Sequence, residues 1–209
     1  MIVVTADQVA SRTRADLAGT ARDRIQAAHG DVLVLPVARN AGDEIQLLTR
    51  DGRTVVDVVF ELTRDGHWSV GIGCGPVREP LPDDIREASG EAFFAARDAV
   101  ERAKKSSPRL AVEAGGVTDP SPGDITAADV EALFTLALLL RERRSTEGWE
   151  VYDRIVAGAR QTDIAGELGV SAPAISSRMK SANIRAELDA APALARLLEH
   201  LDASTEARQ

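Results

Sequence analysis

Two aspartates stand where chemistry is possible. Asp7 follows a short β-branched run at residues 2–6, and Asp43 closes the turn segment Arg39-Asn-Ala-Gly-Asp43. If the strands they end are neighbours, both carboxylates reach one sheet edge. There they could hold Mg²⁺, with bound waters and phosphate oxygens completing its octahedron. Turn aspartates are also common without any ligand, and spacing alone leaves both readings open. The single cysteine, Cys74, excludes an intrachain disulfide and a thiolate zinc site and reads as a small strand-end residue. His29, His67 and His200 lie far apart and show no ligand spacing.

The second informative stretch is 149–182. Trp149, Tyr152, Ile155 and Val156 make one face of a first helix. Thr162 begins a second, with Ile164, Ala165 and Leu168 inward. Gly169 sits where a turn wants positive φ, and Val170 plugs that turn. Ser171 caps a third helix over about 172–182, Pro173 lies in its first turn, and Ile175 and Met179 bury it. The pattern resembles the helix-turn-helix of bacterial regulators and of the DNA-reading region of sigma factors. That resemblance implies double-stranded DNA as a partner. Ser171, Ala172, Pro173, Ser176 and Ser177 would meet base edges or thymine methyls, while Arg178 and Lys180 would anchor phosphates. Thr162 would cap its helix and donate to a phosphate. The face is only mildly basic, so a homodimer spanning two half-sites is expected. A helical hairpin without a DNA role is the alternative.

Elements that alternate strand and helix must position the carboxylates. A helix is expected over 12–28, with Leu17, Ala21, Ile25 and Ala28 inward. Residues 32–37 make a strand that Pro36 marks as an edge or a bend. Residues 45–49 return as its hairpin partner, with Gly42 and Asp43 near the tip. Residues 54–62 fit a helix and a strand equally. A strand follows at 68–73, with Trp68 in the core or on a sheet face. A helix over 87–105 turns Phe93, Phe94, Ala96, Val100 and Ala103 inward, and its Lys104-Lys105 end is a solvated, dipole-matched terminus. A last strand covers 110–112. The order suits an α+β sandwich with helices on one sheet face.

Residues 115–124 hold two prolines and three glycines and read as a linker. A helix follows to about 144, opened by Thr126 and Asp129 in capping-box spacing. Its stretch 133–140 is apolar nearly all round, so it is buried or dimeric, and Arg141, Arg143 and Arg144 match the helix dipole. A last amphipathic helix at 187–201 either dimerises or packs on its own module. The expected organisation is therefore a domain over 1–115, a linker and connecting helix over 116–144, and an all-α DNA-binding domain over 145–203.

The 209 residues carry a net charge of -8, which excludes a whole-chain basic footprint for nucleic acid but not a small local module. Hydrophobic residues make up 44% and charged residues 28%, the balance of an ordinary globular protein. No stretch approaches the about 18 apolar residues of a membrane span, and the opening residues lack the basic region of a signal peptide. The expected location is the cytoplasm, with no membrane partner.

Four motifs occur in order along the first domain. Thr5-Ala-Asp-Gln-Val-Ala-Ser-Arg12 resembles the first-strand motif of the nucleotidyl cyclase and diguanylate cyclase palm superfamily, and more closely the opening of the SatD family. Gly42-Asp-Glu-Ile-Gln46 resembles the superfamily's hairpin, Val70-Gly-Ile-Gly-Cys-Gly75 its next strand, and Gly90-Glu-Ala-Phe-Phe-Ala-Ala-Arg97 the helix start after it. SatD-like chains often end in a helix-turn-helix too. The resemblance implies a ferredoxin-like palm with 54–64 as helix. It implies that Asp7 and Asp43 bind metal, with Glu44 beside them. Arg39 falls where some cyclases carry a base-reading lysine, and Arg97 falls one position from a phosphate-contacting arginine. An asparagine that cyclases use in the transition state falls near Phe94, which has no donor. The departures weigh against catalysis and leave nucleotide binding with Mg²⁺. The sequence thus favours a DNA-binding regulator controlled by a ligand on a degenerate palm. A divergent cyclase, or a palm that only dimerises, are the competing readings.

Overall fold

The computed structural model describes residues 1–11, 15–40, 42–116 and 123–206, so most of the expected linker, and the start of the helix expected from residue 12, lie outside the described residues. The fold is α+β around one five-stranded mixed sheet. In chain order come β1 (Ile2–Gln8), α1 (Ala18–His29), β2 (Leu33–Asn40), β3 (Glu44–Thr49), α2 (Gly52–Thr63), β4 (Trp68–Cys74), α3 (Glu91–Ala103) and β5 (Leu110–Ala114). The remainder is helical: α4 (Ala127–Glu142), α5 (Thr146–Val156), α6 (Gln161–Glu167), α7 (Ala172–Ser181) and α8 (Ile184–Glu206).

The sheet runs β2-β3-β1-β4-β5, with only β4 and β5 parallel. Register places Asp7 opposite Glu44 and Val3 opposite Leu48. β2 is an edge strand, and its pairing with β3 shifts register around Pro36, which has no N–H to give a ladder. Helices cover both faces of the sheet, not one. Ile2, Val4 and Ala6 pack with α1, α2, α4 and α8, while Val3 and Leu48 pack with Ala92, Phe93 and Ala96 of α3. A strand buried on both faces reads as a continuous apolar run, and 2–6 is such a run.

α3 lies on the sheet through two glycines. A Cβ on Gly71 would sit 2.3 Å from the backbone N of Val100, and one on Gly73 only 2.2 Å from the Ala92 carbonyl oxygen. The alternating glycines of β4 are therefore a seat for a helix backbone. Phe93 is buried as expected, but Phe94 is 58% exposed.

The region 54–62 is helical, and Asp51 caps it by accepting from the Thr54 N–H at 2.8 Å. α8 neither stands free nor stays with α5–α7. Its Ala191, Leu194, Leu198 and Leu201 join the sheet's core, and its carboxylates reach two backbone donors. Gly52 N–H donates to Glu199 at 3.0 Å and Gly75 N–H to Asp202 at 3.2 Å. α4, capped by Thr126 and Asp129 as the spacing predicts, buries Val130, Phe134 and Leu138 in the same core and leaves Leu133, Leu136 and Leu140 exposed. No hydrophobic boundary thus separates the stretch before 116 from α4 and the second half of α8.

Arg141 and Arg144 are not dipole-matched surface cations. Both are buried, and both pair with the buried Glu187 of α8. Arg144 is 2.6 Å from that carboxylate, and Arg141 also donates to the Phe60 carbonyl of α2 at 2.8 Å. The guanidinium of Arg141 lies 4.4 Å over the Phe60 ring, and that of Arg144 lies 4.4 Å over Trp149. This cluster ties α4, α5 and α8 to α2.

Candidate functional site

The five polar residues singled out in the first part of the chain all line one cavity of about 540 Å³ at the turn end of the β2–β3 hairpin. Asp7 and Arg39 lie one residue before the ends of β1 and β2, Asp43 immediately precedes β3, Glu44 begins it, and Arg97 comes from the second turn of α3. Arg86, from the segment between β4 and α3, adds a third guanidinium, and Phe93 and Phe94 form an aromatic wall. The exposure of Phe94 follows from this placement, because its ring borders the cavity instead of the sheet.

Most of the polar groups already have partners. Asp7 accepts an ion pair from Lys104 at 3.1 Å, and Lys104 also holds Glu101 at 2.7 Å. Lys104 is thus no freely solvated helix end. Burial opposes its charge, but its bonds to Glu101 and Asp7 raise its pKa above the ordinary lysine value. Asp43 accepts from the Ser11 hydroxyl, and Glu44 accepts from the Asn40 amide at 2.8 Å. Arg39 donates to the Gly42 carbonyl at 2.7 Å and pairs with Asp16 at 2.8 Å, so it braces the hairpin tip. Gly42 has φ +82°, which a glycine supplies without strain.

Magnesium must be judged against this geometry. Asp7 and Asp43 each spend one oxygen on a protein donor. Among the described residues, no group of three or more His, Cys, Asp or Glu is placed to hold a metal ion. Two carboxylates could still contribute one oxygen each, but Asp7 would do so beside an ammonium that opposes the cation.

The second candidate surface is carried by α5, α6 and α7, which close around Val151, Ile164, Ala165 and Ile175, joined by Ile184 at the start of α8. Trp149 and Tyr152 meet edge to face at 5.3 Å. Gly169 turns the chain at φ +64°, and the Ser171 side chain caps α7 by accepting from the Ala174 N–H. Ser171, Ala172, Pro173, Ser176, Ser177 and Lys180 are exposed on one side of α7. Two expected placements change. Val156 is 57% exposed, and Val151, five residues earlier, is the buried valine of α5. Thr162 is not a cap, because α6 begins at Gln161 with Arg160 before it, and its hydroxyl faces Asp163 at 3.3 Å. Arg178, expected at the side of that face, is half-buried there, with Glu150 3.9 Å away.

Arg86, Lys104 and the aromatic wall escaped the sequence reading. Arg86 lies in a single 3₁₀ turn over Ile85–Glu87, too short to show a periodicity, and the partner of Lys104 is almost a hundred residues distant. Cys74 is buried, and burial pushes its thiol well above the ordinary range, which makes it inert. No helix among the described residues is long and apolar enough to cross a membrane.

Comparison with known proteins returns nothing: no protein-family model, no curated protein and no solved structure matches this chain.

Proposed function

We propose that this chain is a DNA-binding transcription regulator in which α6 and α7 act as a helix-turn-helix. One observation carries the reading. A three-helix cluster closed at Ile164, Ala165 and Ile175, turned at Gly169 and capped at Ser171 leaves a small-residue face of α7 in solvent. Small side chains let a helix approach base edges closely, and Lys180 and Arg178 flank that face as phosphate anchors. The working form is a homodimer that reads two half-sites. The first part of the chain is a ferredoxin-like, palm-like sheet, as its hairpin beside the first strand and its β2-β3-β1-β4-β5 order suggest. Its cavity is the regulatory site. A nucleotide is the ligand that suits it, with phosphates on Arg39, Arg86 and Arg97 and a base against Phe94, and with Mg²⁺ at Asp7 and Asp43 if Lys104 yields.

Selection of bound duplexes from a random pool, followed by gel shift of the winners, tests the DNA reading. Enrichment of a two-fold-symmetric sequence, lost in Ser176→Glu, is the expected result. Absence of any enriched sequence overturns it. The ligand is tested separately by thermal shift with ATP and GTP, with and without Mg²⁺, on wild type and Asp43→Asn.

A second reading, a divergent nucleotidyl cyclase, is favoured by the gathering of both aspartates and three arginines in one cavity. It predicts metal-dependent product from ATP or GTP that Asp43→Asn abolishes. Lack of product in Mg²⁺ and Mn²⁺ removes it for those substrates.

A further inference from the structure

A second cavity, of about 430 Å³, lies where the sheet, α4 and α5 meet. Its apolar walls are Trp68, Leu138 and Trp149, and three arginines, Arg64, Arg109 and Arg141, line it beside them. Arg64 is matched by Asp153 at 2.7 and 2.9 Å. Arg109 gives its Nε to the Ser69 hydroxyl at 3.0 Å, which fixes the side chain without neutralising it.

Arg141 supplies the independent observation. Its side chain is 5% exposed, and with Arg144 it shares a single carboxylate, that of Glu187. Two buried cations on one buried anion leave a unit of positive charge without a buried counter-ion among the described residues. The rings of Phe60, Trp149 and Tyr152 soften that charge but do not cancel it. Arg141 Nε is buried and has no hydrogen-bond partner among the described residues. Asp65 and Glu142 also line the cavity, but both are exposed, so water screens them. Leaving a buried charge unpaired is costly, so the cluster gains from an anion placed against Arg141.

The geometry points to this cavity as a binding site for a small organic carboxylate with an apolar or aromatic body. The carboxylate sits between Arg109 and Arg141, and the body fills the space against Trp68, Trp149 and Leu138. The site is distinct from the hairpin cavity and does not depend on what that cavity binds. Its walls come from the sheet region on one side and from α4 and α5 on the other. An occupant therefore bridges the sheet and the three-helix cluster.

The chain has two tryptophans, and both line this cavity, so intrinsic fluorescence reports on it directly. The full-length chain is titrated with aliphatic carboxylates from acetate to octanoate, with benzoate and with phenylacetate. Phenylacetamide serves as the neutral isostere, and inorganic phosphate as an anion without a body. The expected result is a saturable tryptophan change with at least one longer or aromatic carboxylate, at a Kd below about 1 mM. A raised melting temperature should accompany it. Phenylacetamide and phosphate should do neither. Arg109→Gln should weaken binding about tenfold or more, and Arg109→Lys should keep part of it. No saturable response with any carboxylate overturns the assignment. So does a response that phenylacetamide reproduces, one that only phosphate gives, or one that a folded Arg109→Gln chain retains in full.

Discussion

Between α3 and β4 the backbones touch, whereas α5, α6 and α7 meet through side chains around a small core. In the first region, Gly71 and Gly73 bring a helix so close that a Cβ would collide with main-chain atoms. In the second, the fully buried apolar side chains are Val151, Ile164, Ile175 and Ile184, and the region is fastened to α2 and α4 by the Arg141–Glu187–Arg144 cluster. The first arrangement depends on exact volume. The second depends on charge balance, with few apolar contacts in reserve. A part that must reorient when a partner binds is better fastened by a polar cluster than by interlocked backbones.

The largest effect is expected from Glu187→Gln. It leaves two buried guanidiniums without their carboxylate and should cost about 3–5 kcal/mol. Urea denaturation measures the loss, and hydrogen exchange should show it concentrated in α5–α7. If exchange in the sheet rises equally, the two regions are not fastened as described. Ile175→Ala removes a fully buried side chain from the small core and should cost about 2–5 kcal/mol, again localised to the helices. Gly73→Ala tests the opposite region. The added Cβ meets Ala92 and Ala96 main-chain atoms, with an expected cost of about 1–3 kcal/mol or more and loss of sheet protection.

Asp51→Ala removes the cap of α2 and should cost about 1 kcal/mol near neutral pH. Burial raises the pKa of Asp51, but the hydroxyl and N–H of Thr54 outweigh it, so the folded value lies below the ordinary carboxylate. The stabilisation is therefore complete above the unfolded pKa of about 3.9 and is lost as pH falls through the folded one. Urea midpoints of wild type and variant should converge on acidification. Lys180→Ala should leave stability within about 0.5 kcal/mol, since the side chain is exposed. If the proposed helix-turn-helix role holds, its effect appears in DNA binding alone, weakened across sequences, with a salt slope lower by about one.

The strand–hairpin–strand frame was legible because its signals are local: β-branched runs, Pro36 on an edge, glycine at a turn. The same holds for Gly169 and Ser171 around the α6–α7 turn. What failed was decided by partners far along the chain. Residues 54–62 fitted two periods because their buried valines are nearly contiguous, whereas the polar Arg53, Asp57 and Glu61 recur every fourth residue and mark the least buried edge of α2. Arg141 and Arg144 looked like terminal cations because Glu187 lies more than forty residues away. Phe94 looked like core because an aromatic ring in helical register carries no mark of the cavity it borders. The five polar residues at the hairpin were each visible as types, but Lys104, which occupies Asp7, was not.

The helix α8 also sets an order in time. Ile184 and Leu188 at its start complete the cluster of α5–α7, from residues a few dozen positions apart, and contacts that local form early. Beyond Pro192, Leu194, Leu198 and Leu201 finish a core whose first strand begins at Ile2. During synthesis α2 stays uncovered by α8 until those residues leave the ribosome. The three-helix cluster would be folded first, and a chain stopped near residue 190 would carry that cluster on an unfinished, aggregation-prone sheet.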